Sequence, residues 1–137
     1  MSIISKIKRS MDGYILDELK KAGYPELSIS HGMILINFHN KDVMNYKELS
    51  KRISKSPQTM TTLVRKLEQS GYILLQVDKF DKRNKLVSLT NKGKDFIPVM
   101  MTISKNLYKK QYVGFSQEEQ TIIKQLLAKL EENFKEQ

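Results

Sequence analysis

Gln58, Thr59, Thr61, Thr62 and Arg65 fall on one face of a segment whose other face carries Met60, Leu63, Val64 and Leu67. Apolar residues at i, i+3, i+4 and i+7 mark an α-helix with one buried stripe, so the polar set projects outward. These side chains have the short or moderate reach that contacts to base edges or phosphates require. The charge distribution agrees. The chain carries 24 Lys and Arg against 15 Asp and Glu, a net of +9. Residues 45–94 hold twelve basic and four acidic residues, a net of +8, while residues 1–44 net +1 and residues 95–137 net zero. A cationic centre between neutral flanks suits a polyanion. Charge alone does not choose among DNA, RNA and a membrane surface.

Other chemistries are poorly served. With no cysteine, thiolate catalysis, disulfides, thiol redox sensing and sulfur-ligated zinc are excluded. The two histidines, His31 and His39, are eight apart on the expected second helix and lack a third ligand, so buried or capping roles are expected and no metal site. Asp78 and Asp81 sit among lysines that hold both ionised, whereas an acid/base pair needs one raised pKa. No nucleophile elbow, phosphate loop or zinc-protease motif occurs. A protein that is not an enzyme and needs no cofactor is expected.

The elements that position these side chains follow from patterning. With 137 residues, 39% of them apolar, and only nine Gly and Pro, the chain suits one domain with a real core. The longest apolar run, Met33–Ile36, is four residues, far short of a membrane span of about 18. The N-terminus lacks the long apolar core of a signal peptide, so a soluble, cytoplasmic protein is expected. A helix is expected from Ile4 to Ala22, weakened by Gly13 and ended by Gly23. A second, apolar almost all round, is expected from Ser28 or Ser30 to Phe38.

After the turn 40–42, Asn45 and Glu48 have capping-box spacing and open a short helix with Tyr46, Leu49 and Ile53 inward. Ser56 followed by Pro57 restarts a helix as N-cap and first helical residue, and Gly71 supplies its left-handed exit. Residues 72–77 and 85–90 alternate as two strands around the polar loop 78–84, where Phe80 is expected to pack on the hairpin rather than touch DNA. Thr90 caps a long helix to Tyr112 that Pro98 should bend. Ser116 and Glu119 form another capping box, opening a last helix with Ile122, Ile123, Leu126, Leu127, Leu130 and Phe134 inward. Of the seven methionines, Met33 and Met100 are candidates for a ligand pocket, ordinary core packing being the simpler expectation.

Short helix, tight turn, longer helix and basic-looped hairpin make a winged helix-turn-helix. The expected fold class is mostly α with a small β-hairpin: residues 41–94 form the DNA-binding region, and 1–40 with 95–137 a helical dimerisation region. An α-helix fits the major groove of B-DNA and can offer its first turns to base edges. The terminal helices are too apolar for a fifty-residue winged region to cover. Ile4, Ile7, Met11, Ile123, Leu126, Leu127, Leu130 and Phe134 are therefore read as a homodimer surface, the alternative being that the last helix folds back on its own subunit.

The run Asp81-Lys-Arg83-Asn-Lys-Leu-Val87-Ser-Leu-Thr90-Asn-Lys-Gly93 resembles the wing signature of the multiple-antibiotic-resistance (MarR) regulators, Asp-x-Arg followed by Val-x-Leu-Thr-x-x-Gly. Thr59 to Tyr72 is similar to that family's recognition helix and exit turn. Leu27 to Leu35 is similar to its second helix, with His31 where a glutamine is common. The resemblance spans roughly residues 10 to 137.

It implies that Arg83 enters the minor groove and Asp81 orients it. Gln58, Thr59, Thr61, Thr62 and Arg65 would read the major groove, while Ser56, Lys82 and Lys85 hold phosphates. The expected function is a dimeric, sequence-specific transcription regulator, a repressor of a pseudo-palindromic operator, with room for relief by a small-molecule effector. Two other readings stay open: an effector-independent architectural or virulence-type DNA binder, and a winged-helix adaptor for protein or RNA.

Overall fold

The computed structural model describes residues 1–135. Helix α1 (Ile3–Lys21) begins at Ser2, whose hydroxyl accepts the Ser5 N–H, and gives way to Gly23 at φ +92°. Helix α2 (Ile29–Ile36) begins at Ser28 and is shorter than its apolar pattern suggests, so His39 lies in the turn beyond it and shares no helix with His31. Strand β1 (Val43–Asn45) leads into α3 (Tyr46–Arg52), which is followed by α4 (Pro57–Gln69). Strands β2 (Ile73–Val77) and β3 (Lys85–Leu89) precede the long α5 (Asn91–Gln111), which runs on through Pro98, and α6 (Gln117–Glu132). Among the described residues no helix is long and apolar enough to cross a membrane.

The sheet is three-stranded and antiparallel in the order β1-β3-β2, where the sequence suggested a two-stranded hairpin. Met44 stands opposite Val87, and Leu75 opposite Val87 on the other side. β1 has three residues, too few to display a period of two, and only its partner strand reveals it. The expected capping box at Asn45 is also corrected. Asn45 is the N-cap of α3, but its side chain accepts the Lys47 N–H at 2.8 Å, while Glu48 turns to Lys41 and Arg52.

One buried cluster joins all parts of the chain except α6. It includes Leu19 of α1, Ile34 and Leu35 of α2, Leu49 of α3, Met60, Val64 and Leu67 of α4, Val87 of β3, and Phe96 and Met100 of α5. Full burial of each such side chain stabilises by about 1.5–3 kcal/mol. Met100 thus belongs to the core, whereas Met33 is half exposed on α2. Tyr24, Tyr72 and Phe96 meet edge-on or tilted, and the buried Tyr72 hydroxyl donates to Glu26 at 2.5 Å. Burial first, and this carboxylate second, push the Tyr72 pKa well above the usual phenol range.

His31 is 6% exposed and completes a capping box with Ser28. Its Nδ1 accepts the Ser28 N–H at 3.0 Å, so the cap needs this nitrogen unprotonated. Burial, with the Lys66 charge adding to it, lowers the His31 pKa from 6.5. The folded state therefore takes up a proton less readily than the unfolded chain, and the neutral ring's contribution is complete above about pH 6.5. That contribution is lost as pH falls through the lower folded value. Melting temperature should consequently be level above about pH 6.5 and drop as pH falls below it, and His31→Gln, which keeps an acceptor without titrating, should flatten the drop. Equal drops in the two proteins would remove His31 as the cause.

Candidate nucleic-acid interface

Helix α4 starts by the device its sequence prescribes. The Ser56 hydroxyl accepts the Thr59 N–H at 3.2 Å and donates to Thr59 Oγ1 at 2.9 Å, with Pro57 in the first turn. Met60, Val64 and Leu67 are buried and Leu63 half-buried; Gln58, Thr59, Thr61, Thr62 and Arg65 are all exposed, as the helical period requires. Two hydroxyls are engaged by their own helix: Thr61 Oγ1 donates to the Pro57 carbonyl at 2.9 Å and Thr62 Oγ1 to that of Gln58 at 3.1 Å. Each hydroxyl proton points back along the helix, which leaves the oxygen lone pairs and the methyl group for a ligand.

The exit of α4 is tied to the entry of α5. Gly71 takes φ +83°, and the Thr90 hydroxyl donates to its carbonyl at 2.5 Å while accepting the Gly93 N–H at 3.1 Å. Lys92 Nζ donates to the Ser70 carbonyl at 2.8 Å and lies 4.4 Å from the centre of the Tyr72 ring. At Gly93 a Cβ would sit 2.3 Å from the Tyr72 carbonyl oxygen. Any side chain there would push strand and helix apart, which explains the glycine that closes the wing motif. Its signal was present in the sequence as Thr90-x-x-Gly93, but the reason is a tertiary approach.

In the loop between β2 and β3, the two acids turn inward and the cations outward. Asp78 Oδ1 accepts the Phe80 N–H at 2.9 Å, and the Asp78 N–H donates to the Asn84 carbonyl at 3.0 Å. Asp81 Oδ1 accepts both the Arg83 N–H at 3.0 Å and Arg83 Nε at 3.2 Å. Lys79, Lys82, Arg83 and Lys85 are exposed, Arg83 with 90% of its side chain in solvent. Phe80 is 98% exposed and does not pack on the hairpin as expected. The turn closed by Asp78 lifts it off the sheet.

Around α3, Lys47, Lys51 and Lys55 are exposed, whereas Arg52 bonds Glu48 at 2.8 Å. Lys41 foremost, then Arg52, hold the Glu48 carboxyl below its ordinary pKa. A groove of about 580 Å³ opens between α1, α2 and the α3–α4 turn. Leu16, Ile29, Met33 and Ile53 form its apolar lining, and Lys8, Arg52 and Lys55 its cations, with Asp12 beside them.

The terminal helices present apolar surface. Ile7 is 51% and Leu126 59% exposed; Ile4, Leu127 and Leu130 are likewise exposed, and Met11 and Ile123 half-buried. No residue of α6 is buried, so it does not fold back to cover its own apolar stripe. Phe134, expected on that helix, lies past its end and is exposed. A second groove of about 630 Å³ runs between these helices, lined by Ile7, Met11, Tyr14, Leu107, Ile123 and Leu127 among others.

Comparison with known proteins gives concordant likenesses. A sequence profile of the MarR family matches residues 27–85. The HTH-type transcriptional regulator SarZ of Staphylococcus epidermidis is 30% identical over 119 residues, covering 86% of this chain and 77% of that protein. Among solved structures, the transcriptional regulator SlyA superposes with a TM-score of 0.80 at 22% identity, covering 95% of this chain and 89% of that one. An organohalide-sensing transcriptional regulator bound to 2,4-dichlorophenol gives 0.82 at 24% identity, covering 96% and 76%. At these identities the two structures speak for the fold.

Proposed function

The chain belongs to the MarR family, and on that footing we propose that this DNA-binding transcription regulator works in the cytoplasm as a homodimeric repressor of a pseudo-palindromic operator. The observation that carries the reading is the exposed hydrogen-bonding face of α4 beside a wing that turns its acids in and its cations out. In this reading Gln58, Thr59, Thr61, Thr62 and Arg65 meet the major groove, Arg83 enters the minor groove from its Asp81 support, and Lys82 and Lys85 meet phosphates. Ser56 serves first as the α4 cap, which its two bonds to Thr59 support. The apolar surface of α1 and α6 favours a two-fold dimer, the commonest way to cover such a surface.

Selection of bound sequences from a random duplex pool tests this. A two-fold dimer selects a near-palindrome with half-sites about one turn, ~10 bp, apart. An asymmetric site bound by one chain would contradict it.

The threonines should read as acceptors, because their protons are held by the Pro57 and Gln58 carbonyls. Suitable partners are the amino groups of adenine and cytosine for the oxygens, and the thymine methyl for the threonine methyl groups. Thr61→Ala or Thr62→Ala should narrow the preference for the selected site over scrambled duplex by about 1–3 kcal/mol, without unfolding an exposed helix face. An unchanged ratio in both variants would take them out of the readout.

Relief by an effector is the second part of the proposal, and the groove between α1, α2 and the α3–α4 turn favours it. Lys8 is bonded to Asp12 and Arg52 to Glu48, which leaves the apolar lining and the Lys55 ammonium to suit a small organic molecule with one negative charge, and the groove's wall is the turn that sets α4. A ligand there would change the spacing of the two recognition helices, each of which must meet its own half-site.

A further inference from the structure

The wing carries one feature that its cations do not explain. Phe80 is the large apolar side chain at the tip of a loop otherwise made of charged or polar residues, and it is 98% exposed. An aromatic ring held in water is unfavourable unless something covers it in the working state. Here the backbone keeps it uncovered: the Asp78 carboxylate accepts the Phe80 N–H, and the Asp78 N–H closes the loop on the Asn84 carbonyl. The surroundings name the cover. Lys79, Lys82 and Arg83 of the same loop and Lys85 at the start of β3 are exposed, while Asp78 and Asp81 face the loop backbone, so the partner must be anionic yet offer an apolar wall. The minor groove of DNA has both, phosphates at its edges and deoxyribose along its sides, and apolar side chains inserted into it are a known mode of binding.

We propose that Phe80 is a second DNA-contacting side chain of the wing, its ring packed against the deoxyribose wall of the minor groove next to the site of Arg83. This rests on the DNA-binding reading and deepens it: the wing then reads groove width with an apolar prong as well as a charged one. An apolar contact releases no counterions, so it differs from every lysine and arginine contact in its response to salt.

The experiment measures the affinity of wild type, Phe80→Ala, Phe80→Leu and Arg83→Ala for the duplex recovered by selection, across a salt titration. Phe80→Ala should lose about 10-fold in affinity with the slope of log K against log salt unchanged, and Phe80→Leu should recover a large part of the loss. Arg83→Ala should lose affinity and also reduce the slope, by about 0.9 for each subunit's contact. Melting temperature should not fall in either Phe80 variant, because the ring touches nothing in the free protein. Affinity of Phe80→Ala within about two-fold of wild type, or a changed slope, would overturn the proposal. Wild type failing to prefer the selected duplex over scrambled DNA would instead overturn the reading beneath it.

Discussion

Arg83→Ala is expected to weaken operator binding by about 2 kcal/mol, roughly 30-fold, while folding and dimerisation stay intact. In the free protein the guanidinium is 90% exposed and its 3.2 Å bond to Asp81 is an exposed ion pair, which adds little to stability. Its value lies in the complex. A narrow A·T-rich minor groove concentrates negative potential and favours an inserted arginine. The loss should therefore be larger on A·T-rich flanks than on G·C-rich ones. Arg83→Lys should recover only part of it, because an ammonium cannot reproduce the planar fork. Asp81→Asn should cost less than Arg83→Ala, since the amide oxygen can still accept the two Arg83 bonds and the positive charge remains. Lys79→Ala is the control, a neighbouring cation without a carboxylate support. Equal losses for Arg83→Ala and Lys79→Ala on every flank would reduce Arg83 to a solubilising residue.

Salt should have the largest effect of any variable. Each subunit offers Lys47, Lys51, Lys55, Lys82 and Lys85 as exposed cations near the proposed contact surface. With some six to ten phosphates neutralised by the dimer, affinity should fall about 10³–10⁵-fold between roughly 50 and 200 mM salt. The structure refines this expectation at one position. Arg52 is already bonded to Glu48, which Lys41 also holds, so Arg52→Ala should change the slope less than Lys55→Ala does. A slope near −1 for the whole protein would mean that the basic centre is not the contact surface.

Much of the architecture was legible where a local rule decides it. Ser56-Pro57 marked the start of α4, Gly71 its end, and the stripe from Met60 to Leu67 its buried face, because caps and helical period act within a few residues. What escaped was decided at a distance. β1 exists through its pairing with β3, and three residues carry no periodic signal of their own. The Asn45–Glu48 spacing suggested a reciprocal cap, but Glu48 found Lys41 and Arg52, charged partners that a neutral N–H does not match. α2 stopped two residues early, since an all-apolar pattern does not show where a helix ends. In the wing, the resemblance to the MarR signature implied the Asp81–Arg83 pair, which the structure shows at 3.2 Å. The exposure of Phe80 depended on the Asp78 turn, and the residue type alone suggested burial.

Everything proposed for α4 and the wing requires this chain to bind a specific duplex as a two-fold dimer. The most direct measurement is a sedimentation titration of the selected duplex at fixed salt, with scrambled duplex of equal length as competitor. Two chains per selected duplex are expected, with a preference of at least about 10³ over the scrambled one. One chain per duplex, or equal affinity for the two sequences, would contradict it.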